Sequence, residues 1–571
     1  MENLSDDLLT PFEKGNGNQT CTYEECISFY EKLDSISDHA KLFTYGTTSI
    51  GKPLHLFVIS SEKNFDPKKI HDEGKCVLLI NNGIHPGEPD GIDASMMFAR
   101  DLLKKNTLSK LLDHVVVCII PVYNVSGMLT RNSTSRVNQN GPEEFGFRGT
   151  AQNYDLNRDF VKCDAVETQT FTEIFQTWKP EIFIDTHVSN GADYQYIMTL
   201  ISTQKDKLNS VLASYQEKIF LPDLYGAMKE NKFEMTPYVN PIEETPDSGI
   251  AGFLETPRFS TGYAALFNCI GMMPETHMFK PYDQRVWSTY SLEKEVLTIT
   301  SRDATLIRKN KQAADEAVSM QTSFPVEWKF DESKFDWITF KGFAAKYKKS
   351  EVSDSIRLYY DRNEPFEKKI KFFNDYLPSV TAEKPFAYII PQGWGHVIDR
   401  LKWNGVEMKQ LVKDTSFDVD VYYIDDFKSS PNAYEGHHVN SNVSLRKENH
   451  QMKFYKGDYV VFVNQPSNRY IIEMLEPQGT DSYFTWNFFD PVLMEKEYFS
   501  DYVFVDVAAD LLRKDSKLKN DFEQKKKSDP EFAKDPNAQL YFIYQHSPYF
   551  EKSFRRYPVV RVQANVNLPI D

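Results

Sequence analysis

The chain has 571 residues, of which 41% are hydrophobic, 14% aromatic and 26% charged. This composition is typical of a folded globular protein and excludes a disordered, collagen-like or coiled-coil chain. With 82 acidic and 66 basic side chains the net charge is −16, which disfavours binding to nucleic-acid phosphates or to an anionic membrane surface.

Neither a membrane segment nor a targeting segment is visible. No apolar run approaches the roughly 20 residues of a transmembrane helix, so we expect no membrane span. The first 20 residues lack a basic stretch followed by an apolar one, as a signal peptide would have. We expect a secreted or periplasmic protein if a signal peptide has been removed, and otherwise a cytoplasmic one. The oligomeric state stays open.

Six cysteines are too few for a disulfide framework in a chain of this length. Cys76 and Cys118 lie in apolar runs and are predicted to be buried thiols. Cys21 and Cys26 are close enough in sequence to pair, but nothing requires it.

The first 320 residues alternate strand and helix patterns. Continuous apolar runs predict strands buried on both faces at 76–82, 115–124 and 181–187. Helical spacing predicts helices at 90–105, 164–178 and 290–319. This alternation predicts an α/β domain with a mostly parallel or mixed sheet.

The pattern changes near residues 320–326. Short β-branched and aromatic runs predict strands at 355–360, 418–424, 458–464 and 469–475. Residues 386–405 predict one strand followed by a helix, and the charged segment 513–532 is typical of a solvated helix or loop. We therefore expect a first domain at 1–322 and a β-rich α+β domain at 323–571.

Two buried strands end in residues that can ligate a metal. His85 and Glu88 follow the strand at 76–82 in a turn that contains Pro86 and Gly87, and His187 ends the strand at 181–187. Open α/β sheets hold ligands at the carboxyl ends of their strands. Two histidines and a glutamate leave one zinc coordination position open, as in catalytic sites. Each motif alone is weak, because a single histidine more often bonds a backbone carbonyl.

Residues 146–160 add cationic and amide side chains. Arginine binds a carboxylate through two parallel hydrogen bonds, so Arg148 and Arg158, with Asn157, suit a substrate that carries a carboxylate. A surface ion-pair cluster is the alternative interpretation. Asp155 is predicted to accept a hydrogen bond from the second ring nitrogen of a ligating histidine.

Residues 258–286 supply a candidate base. Glu275 ends the short apolar segment GMMPE, and a carboxylate beside an activated water is the expected general base. Tyr263 is a candidate donor to the substrate. His277 is predicted to be structural.

Together these segments resemble the zinc metallocarboxypeptidase family of carboxypeptidase A-like enzymes. They follow the family's order over roughly residues 40–310: an HxxE pair, an arginine, an Asn-Arg pair, a distant histidine and a later glutamate. The phrases DLNRD at 155–159 and ETH at 275–277 resemble a bacterial branch. The resemblance implies a central mixed eight-stranded sheet flanked by helices, with residues 1–322 as the catalytic domain and 323–571 as an accessory domain.

The resemblance also implies zinc as the cofactor and gives each site residue a role. The roles are zinc binding by His85, Glu88 and His187, binding of the substrate's C-terminal carboxylate by Asn157 and Arg158, oxyanion stabilisation by Arg148, general-base catalysis and proton donation by Glu275, and closure over the bound residue by Tyr263. Tyr263 lies only 12 residues before Glu275, closer than in the better-known members, which places its role in doubt. The segment around Phe259, Ser260 and Thr261 carries no carboxylate, which disfavours a strict preference for Lys or Arg ends.

The predicted function is that of a zinc-dependent hydrolase that removes C-terminal residues from peptides with a free carboxylate. A zinc-activated water would attack the scissile carbonyl while Glu275 takes its proton. Two alternatives stay open: a zinc amidohydrolase or deacylase of the same fold that acts on a small acylated amino acid, and a catalytically inactive binding protein. An open cleft would fit peptides and a capped one small molecules.

The second domain gives fewer signals. Glu435, His437 and His438 are residue types that bind metals, but no strand end or third ligand supports a site, so we interpret them as structural. The segments 464–470 and 476–490 are predicted to be loops that approach the catalytic cleft and restrict it.

Overall fold

A large mixed β-sheet organises the N-terminal half of the chain. The computed structural model describes residues 8–104, 106–563 and 566–571. Ten strands lie in this half: Ala40–Thr47 (β1), Pro53–Ile59 (β2), Cys76–Asn81 (β3), Val115–Ile120 (β4), Ile182–Asp185 (β5), His187–Ser189 (β6), Met198–Ser202 (β7), Met235–Pro237 (β8), Ile250–Ala251 (β9) and Ile270–His277 (β10).

The order of the central sheet is β1-β2-β4-β3-β5-β10-β7-β8, and β6 continues β5 alongside β10. The central pairs β4-β3, β3-β5 and β5-β10 are parallel, whereas β1-β2, β2-β4 and β10-β7 are antiparallel. Every residue of β3 and β4 is buried, which explains why both strands are continuous apolar runs. The predicted mixed α/β sheet is confirmed.

Helices pack around this sheet. They are Pro11–Lys14 (α1), Tyr23–Ile36 (α2), Pro67–Asp72 (α3), Asp90–Lys104 (α4), Asn106–Ser109 (α5), Val125–Leu129 (α6), Val166–Trp178 (α7), Ser210–Tyr215 (α8), Leu221–Glu230 (α9), Ser260–Leu266 (α10) and Tyr282–Met320 (α11). The long α11 packs on α4 and contacts β3, β4 and β10, while α7 contacts β1 and β2. The last residue of the helix predicted at 90–105 lies outside the described residues.

The C-terminal half is rich in long antiparallel strands. They are Ser323–Phe330 (β11), Asp336–Lys349 (β12), Ile356–Phe373 (β13), Tyr376–Glu383 (β14), Ala387–Ile390 (β15), Lys409–Gln410 (β16), Thr415–Ser429 (β17), Asn440–Phe454 (β18), Tyr459–Phe462 (β19) and Val560–Val562 (β20). A six-stranded sheet has the order β16-β19-β15-β20-β17-β18. Separately, β11 pairs with β14, and β13 lies between β12 and β9 of the N-terminal half. The predicted β-rich character is confirmed.

Five helices accompany these strands: Gly395–Trp403 (α12), Asn468–Leu475 (α13), Asp501–Lys514 (α14), Ser516–Ser528 (α15) and Pro536–Gln545 (α16). The prediction of a strand at 469–475 is wrong, because this segment forms α13. All eight residues of α13 are buried. Its side chains Arg469 and Glu473, one turn apart, are buried as an ion pair at 3.1 Å. The apolar run Tyr470–Ile472 between them is too short for periodicity to distinguish a helix from a buried strand.

The two halves share a hydrophobic core. One buried cluster contains Leu292 of α11, Phe324 of β11, Ile390 of β15 and Tyr470 of α13. Helix α11 ends at Met320 and β11 begins at Ser323, next to the boundary expected from the sequence. The C-terminal half therefore packs directly on the sheet that carries the candidate site.

All six cysteines lie in the described ranges and are buried free thiols, including Cys21 and Cys26. Among the described helices, none combines the length and the apolar character needed to cross a bilayer.

Candidate active site

Three side chains that can ligate a metal meet at the carboxyl ends of β3 and β5. His85 and Glu88 lie in the loop after β3, and His187 begins β6 directly after β5. Because β3 and β5 are parallel neighbours, these positions fall at one edge of the sheet. The ring centroids of His85 and His187 are 4.9 Å apart. One ligand atom from each of the three residues lies within 4.8 Å of the others, and all three residues are buried.

The loop after β3 is held close to the sheet by a glycine at the start of α4. A Cβ atom at Gly91 would collide with the side chain of Thr186, which separates β5 from β6. The hydroxyl of Thr186 donates to Asn82 Oδ1 over 2.9 Å. Glycine at position 91 therefore lets α4 begin against the strand end that carries His187.

Each histidine is oriented by a carboxylate on its far side. His85 Nε2 lies 2.8 Å from Asp155 Oδ1, and His187 Nε2 lies 2.9 Å from Asp185 Oδ2. Their Nδ1 atoms face Glu88, at 3.5 Å for His85 and 3.3 Å for His187. Nδ1 of His85 is buried and has no hydrogen-bond partner within the described chain. Two imidazole nitrogens and a carboxylate oxygen around one point form a donor set that fits zinc.

Asp185 is a residue that the sequence reasoning missed. It lies two positions before His187 in IFIDTH, and alternation along an extended chain brings both side chains to the same side. Its Oδ1 atom accepts a hydrogen bond from Asn81 Nδ2 over 2.9 Å, so the carboxylate is itself held in place. The two-residue spacing between Asp185 and His187 could have indicated this contact.

Two arginines converge on Glu88. Arg136 Nη1 lies 2.7 Å from Glu88 Oε1, and Arg148 Nη1 lies 3.3 Å from the same oxygen. Arg148 also donates through Nε to Asp155 Oδ2 over 2.9 Å, and its side chain is 43% exposed, so it can reach a ligand. Arg136 was not predicted, because it lies in a polar segment with no strand or helix pattern around it.

Cations decide the ionisation of this cluster. Burial alone would raise the pKa of Glu88, but the charges of Arg136 and His85 hold it well below its usual range. Burial alone would lower the pKa of His187, but the charge of Asp185 and its hydrogen bond raise it well above its usual range.

Asn157 and Arg158 occupy a short helical turn next to this cluster. Asn157 is buried, and its Oδ1 accepts from the backbone N–H of Ser260 over 3.3 Å. Arg158 lies over the ring of Phe259, with its guanidinium carbon 4.6 Å from the ring centroid. Asn157 N–H donates to Asp155 Oδ1, so the same carboxylate orients both His85 and this turn.

Glu275 faces the cluster from the next strand. In β10 it lies opposite His187 in register, and Thr199 of β7 flanks its other side. Burial raises the pKa of Glu275 to about 8, and the charges of Glu88 and Glu255 add to this shift while that of His187 opposes it. A carboxyl group with a raised pKa accepts a proton more readily than an ordinary one.

One cavity of about 330 Å³ connects these side chains. Seven of the nine residues predicted for the site line it: His85, Glu88, Arg148, Asn157, Arg158, His187 and Glu275. Asp155 lies behind them, as the prediction of a histidine-orienting carboxylate implies. Arg136, Tyr238 and Glu255 also line the cavity.

The placement of Tyr263 differs from the prediction. It is completely buried in α10, packs against Phe175 and Phe267 with ring centroids 5.1 Å away, and donates from its hydroxyl to Asn404 Oδ1 over 2.7 Å. The apolar helix STGYAAL turns this tyrosine into the core rather than toward the cavity. Tyr238, in the loop after β8, is the tyrosine that lines the cavity.

His277 agrees with the structural interpretation. Its Nε2 lies 2.7 Å from the carbonyl oxygen of Ala192, and Nδ1 accepts from the backbone N–H of Phe279. Burial lowers the pKa of His277 to about 4.

The C-terminal half contacts the back of the site. Glu435 Oε2 accepts from the backbone N–H of Asp155 over 2.9 Å, and His437 Nε2 lies 2.8 Å from Asp164 Oδ2. In the segment 476–490, Asp481 pairs with Arg258 at 2.6 Å, next to Phe259. These contacts fix the two chain segments that carry the candidate carboxylate anchors.

Comparison with known proteins finds similarity to zinc carboxypeptidases in the region that carries most of the site. The model of the zinc carboxypeptidase family matches residues 27–222. Carboxypeptidase 2 of Trichophyton rubrum is 21% identical over 438 residues, which cover 72% of this chain and 73% of the relative. Carboxypeptidase 2 of Trichophyton tonsurans is 20% identical over 483 residues, 80% of this chain and 79% of the relative. These relatives are fungal, and the bacterial branch expected from the sequence stays a prediction.

Among solved structures, similarity extends to about half of the chain. A metallo-carboxypeptidase from Burkholderia cenocepacia has a TM-score of 0.38 at 15% identity and covers 49% of this chain and 70% of its own. Carboxypeptidase A from Helicoverpa armigera has a TM-score of 0.38 at 15% identity and covers 51% and 74%. The family model and the buried cluster point to the same region: residues 27–222 are similar to the zinc carboxypeptidase family, and His85, Glu88 and His187 within them form a cluster that can hold a metal ion.

Proposed function

We propose that this protein removes residues one at a time from the free carboxyl end of peptides, with Glu275 as general base. The observation that carries the proposal is the convergence, on one cavity of about 330 Å³, of a His-Glu-His cluster, a buried carboxyl group with a raised pKa and several cationic side chains. Each of these is a part that hydrolysis of a C-terminal peptide bond requires.

His85, Glu88 and His187 would hold the zinc ion, and Asp155 and Asp185 would orient the two imidazoles. When bound, zinc acts as a Lewis acid that lowers the pKa of a coordinated water toward neutrality. Glu88 is the ligand that also contacts both arginines, so it links the ligand set to the cationic wall of the cavity.

Glu275 takes a proton from the attacking water and later gives it to the leaving amine. Within the described residues, no Lys, Arg or His nitrogen lies within 4.0 Å of its carboxyl group, so the group is not held ionised by a salt bridge. A base whose pKa lies near the working pH is effective in both directions of proton transfer. General acid–base catalysis of this kind contributes about 10²- to 10⁴-fold to a rate.

The cationic side chains bind the two negative charges of the reaction. Asn157 and Arg158 would hold the C-terminal carboxylate of the substrate, because the turn at Leu156–Arg158 presents them together. Arg148 would stabilise the oxyanion, and Arg136 lies on the same side of the cavity as a second donor. A carboxylate that enters the cavity would therefore meet positive charge at one end and the reacting groups at the other.

We also propose different roles for the two halves of the chain. Residues 1–322 carry every side chain assigned a role, and residues 323–571 form an accessory portion that contacts the back of the site through Glu435, His437 and the segment around Asp481. Those contacts lie behind the anchors, and the residues that line the cavity all come from the N-terminal half, so the accessory portion would support the site rather than react.

The test uses the full-length protein with bound zinc and two peptides of one sequence, one with a free and one with an amidated carboxyl end. We expect release of the last residue from the free peptide alone. Glu275→Gln is expected to keep its zinc and to lose about 10²- to 10⁴-fold in kcat/KM. Glu230→Gln, on the exposed surface of α9, is the matched control. A zinc-loaded protein that cleaves neither peptide, or undiminished activity of Glu275→Gln, would overturn the proposal.

A further inference from the structure

A hairpin from the C-terminal half ends at the back of the metal-ligand cluster. Residues 430–439 join β17 to β18, and the tip of this hairpin is a tight turn between Tyr434 and His437. The backbone N–H of Tyr434 donates to the carbonyl oxygen of His437 over 2.8 Å, and the reverse bond is 3.0 Å long. Glu435 and Gly436 are therefore the two central residues of a two-residue hairpin turn.

The backbone at Glu435 has a conformation that glutamate rarely adopts. Its φ angle is +49° and that of Gly436 is +82°, as in a type I′ turn. Asparagine, aspartate and glycine are the usual residues at the first of these positions, because other side chains are strained in the left-handed region. A glutamate is stable in this conformation only where the contacts around it offset the strain.

The side chain of Glu435 makes such a contact. Its Oε2 atom accepts from the backbone N–H of Asp155 over 2.9 Å. Among the described residues, no other atom accepts a hydrogen bond from this N–H. A partly buried N–H without an acceptor costs free energy, so this bond ties the backbone at Asp155 to the hairpin of the C-terminal half.

Through Asp155 the hairpin can act on the candidate site. Asp155 Oδ1 lies 2.8 Å from His85 Nε2 and also accepts from the backbone N–H of Asn157 over 2.9 Å. Asp155 Oδ2 accepts from Arg148 Nε over 2.9 Å. One carboxylate thus orients a metal ligand, the turn that carries the carboxylate anchors and the candidate oxyanion donor. A displacement of its backbone would move all three.

The same hairpin turn contacts this part of the N-terminal half at two further points. A Cβ atom at Gly436 would lie 3.4 Å from Cε1 of Tyr154, so the turn lies against this ring. His437 Nε2 lies 2.8 Å from Asp164 Oδ2. Tyr154 and Asp164 lie on either side of Leu156–Arg158 in the chain, so the hairpin turn holds this segment from both ends.

We propose that Glu435 is a positioning residue for the metal site, which holds His85 in its zinc-binding orientation through the backbone of Asp155. The inference rests on the proposed function, in which His85 is a zinc ligand. It means that a residue of the C-terminal half sets the metal affinity of a site whose ligands all lie in the N-terminal half. The strained backbone at Glu435 is then explained by the contact that its side chain makes.

The test replaces Glu435 by glycine in the full-length protein. Glycine removes the acceptor and also relieves the positive φ, so the urea midpoint of the metal-free protein should stay close to that of the unmodified protein. Zinc affinity, measured by competition with a chromophoric chelator, should fall about tenfold, as when an outer hydrogen bond of a metal site is lost. A merely structural residue would lower the midpoint and leave the affinity of the folded protein unchanged.

Glu435→Gln tests whether the hydrogen bond is the cause. Glutamine keeps an oxygen that can accept from the Asp155 N–H, so its zinc affinity should stay within about threefold of the unmodified value. If Glu435→Gly does not fold, Glu435→Asn takes its place. Asparagine tolerates a positive φ, and its side chain is one methylene group shorter than glutamine.

Asp354→Gly is the matched control. Asp354 is an acidic residue with a φ of +57° at the tip of the long hairpin between β12 and β13, where its 88% exposed side chain pairs with Lys349. Glycine at this position relieves the same kind of strain without removing a contact to Asp155. Its zinc affinity should equal that of the unmodified protein.

Three results would overturn the role of Glu435. They are a folded Glu435→Gly protein that binds zinc as tightly as the unmodified one, a Glu435→Gln protein that loses as much affinity as the glycine variant, and an equal loss in Asp354→Gly. Each of them leaves the proposed reaction standing. Failure of the proposed function appears in another measurement, because an unmodified protein that binds zinc but releases no residue from a peptide contradicts the reaction and leaves the zinc comparison intact.

Discussion

Two sets of largely buried carboxyl groups in this protein have pKa values that are shifted in opposite directions. At the site, Glu88 and Asp155 contact arginines and histidines, and the cations hold the pKa of both carboxyl groups below the usual range despite burial. Where α4 meets α11, Asp93 and Glu293 contact hydroxyl groups instead, and burial raises their pKa values to about 6 and about 8. Burial is common to both groups, so the partners decide the ionisation.

The carboxyl groups within the site also differ in whether they have a cationic partner. Glu275 and Glu255 line the same cavity as Glu88, yet both have raised pKa values and neither has a cationic partner among the described residues. The site therefore contains paired carboxylates that hold its structure and unpaired ones that are available to a substrate. One of the two unpaired carboxyl groups, Glu275, is the group to which we assign proton transfer.

The largest effect is expected when a paired carboxylate at the site is neutralised. In Asp185→Asn, the amide keeps the shape of the side chain but removes the charge that faces His187 Nε2 at 2.9 Å. Loss of such an orienting carboxylate lowers metal affinity about 10- to 100-fold. Competition for zinc with a chromophoric chelator measures this change.

Asp521→Asn, exposed on α15, is the matched control and should bind zinc like the unmodified protein. Circular dichroism shows whether Asp185→Asn keeps its fold. Unchanged zinc affinity in a folded Asp185→Asn variant would mean that Asp185 does not orient His187 for metal binding. It would also contradict the structural role assigned to the paired carboxylates of the site.

A smaller effect, on stability, is expected from an unpaired carboxyl group outside the site. Glu293 binds a proton up to about pH 8 in the folded protein, against the usual value near 4.5 in the unfolded chain. Unfolding therefore releases a proton between these pH values, and the free energy of unfolding falls as pH rises, by up to about 1.4 kcal/mol per pH unit. Glu293→Gln keeps an oxygen that can accept from Ser95 and removes this slope.

Urea unfolding between pH 5 and pH 8.5 measures the difference between Glu293→Gln and the unmodified protein. The variant should gain in relative stability as pH rises. Glu295→Gln, two positions on in α11 and partly exposed, should follow the unmodified protein much more closely. Parallel stability curves for Glu293→Gln and the unmodified protein would show that Glu293 does not take up a proton on folding in this range.

Much of the fold and most of the site follow from strand ends that the sequence reveals. The apolar run at 76–82 stops three residues before His85, the run at 181–187 ends in His187, and GMMPE ends in Glu275. Buried parallel strands are continuous apolar segments, and their carboxyl ends share one edge, so polar residues at those ends can be assigned to one place without knowing the strand order.

The remaining residues depend on contacts that no local pattern encodes. Arg136 reaches Glu88 from a polar loop 48 residues away, and Glu255 enters the cavity only because the turn before α10 folds back on it. The error at 469–475 has the same origin. Whether an apolar run is a strand or a fully buried helix is decided by what surrounds it, here the core shared by both halves.

The smallest effect on activity is expected at Tyr263, which the sequence placed at the substrate and the structure places in the core. Tyr263→Phe removes a hydroxyl that donates to Asn404, and the loss of one buried hydrogen bond should lower the free energy of unfolding by about 1 to 2 kcal/mol. Because the ring lies away from the cavity, kcat/KM should stay within about twofold of the unmodified value. Tyr238→Phe, on the cavity wall, is the matched comparison for activity. A Tyr263→Phe variant that unfolds like the unmodified protein but loses more kcat/KM than Tyr238→Phe would return Tyr263 to the substrate and contradict its placement in the core.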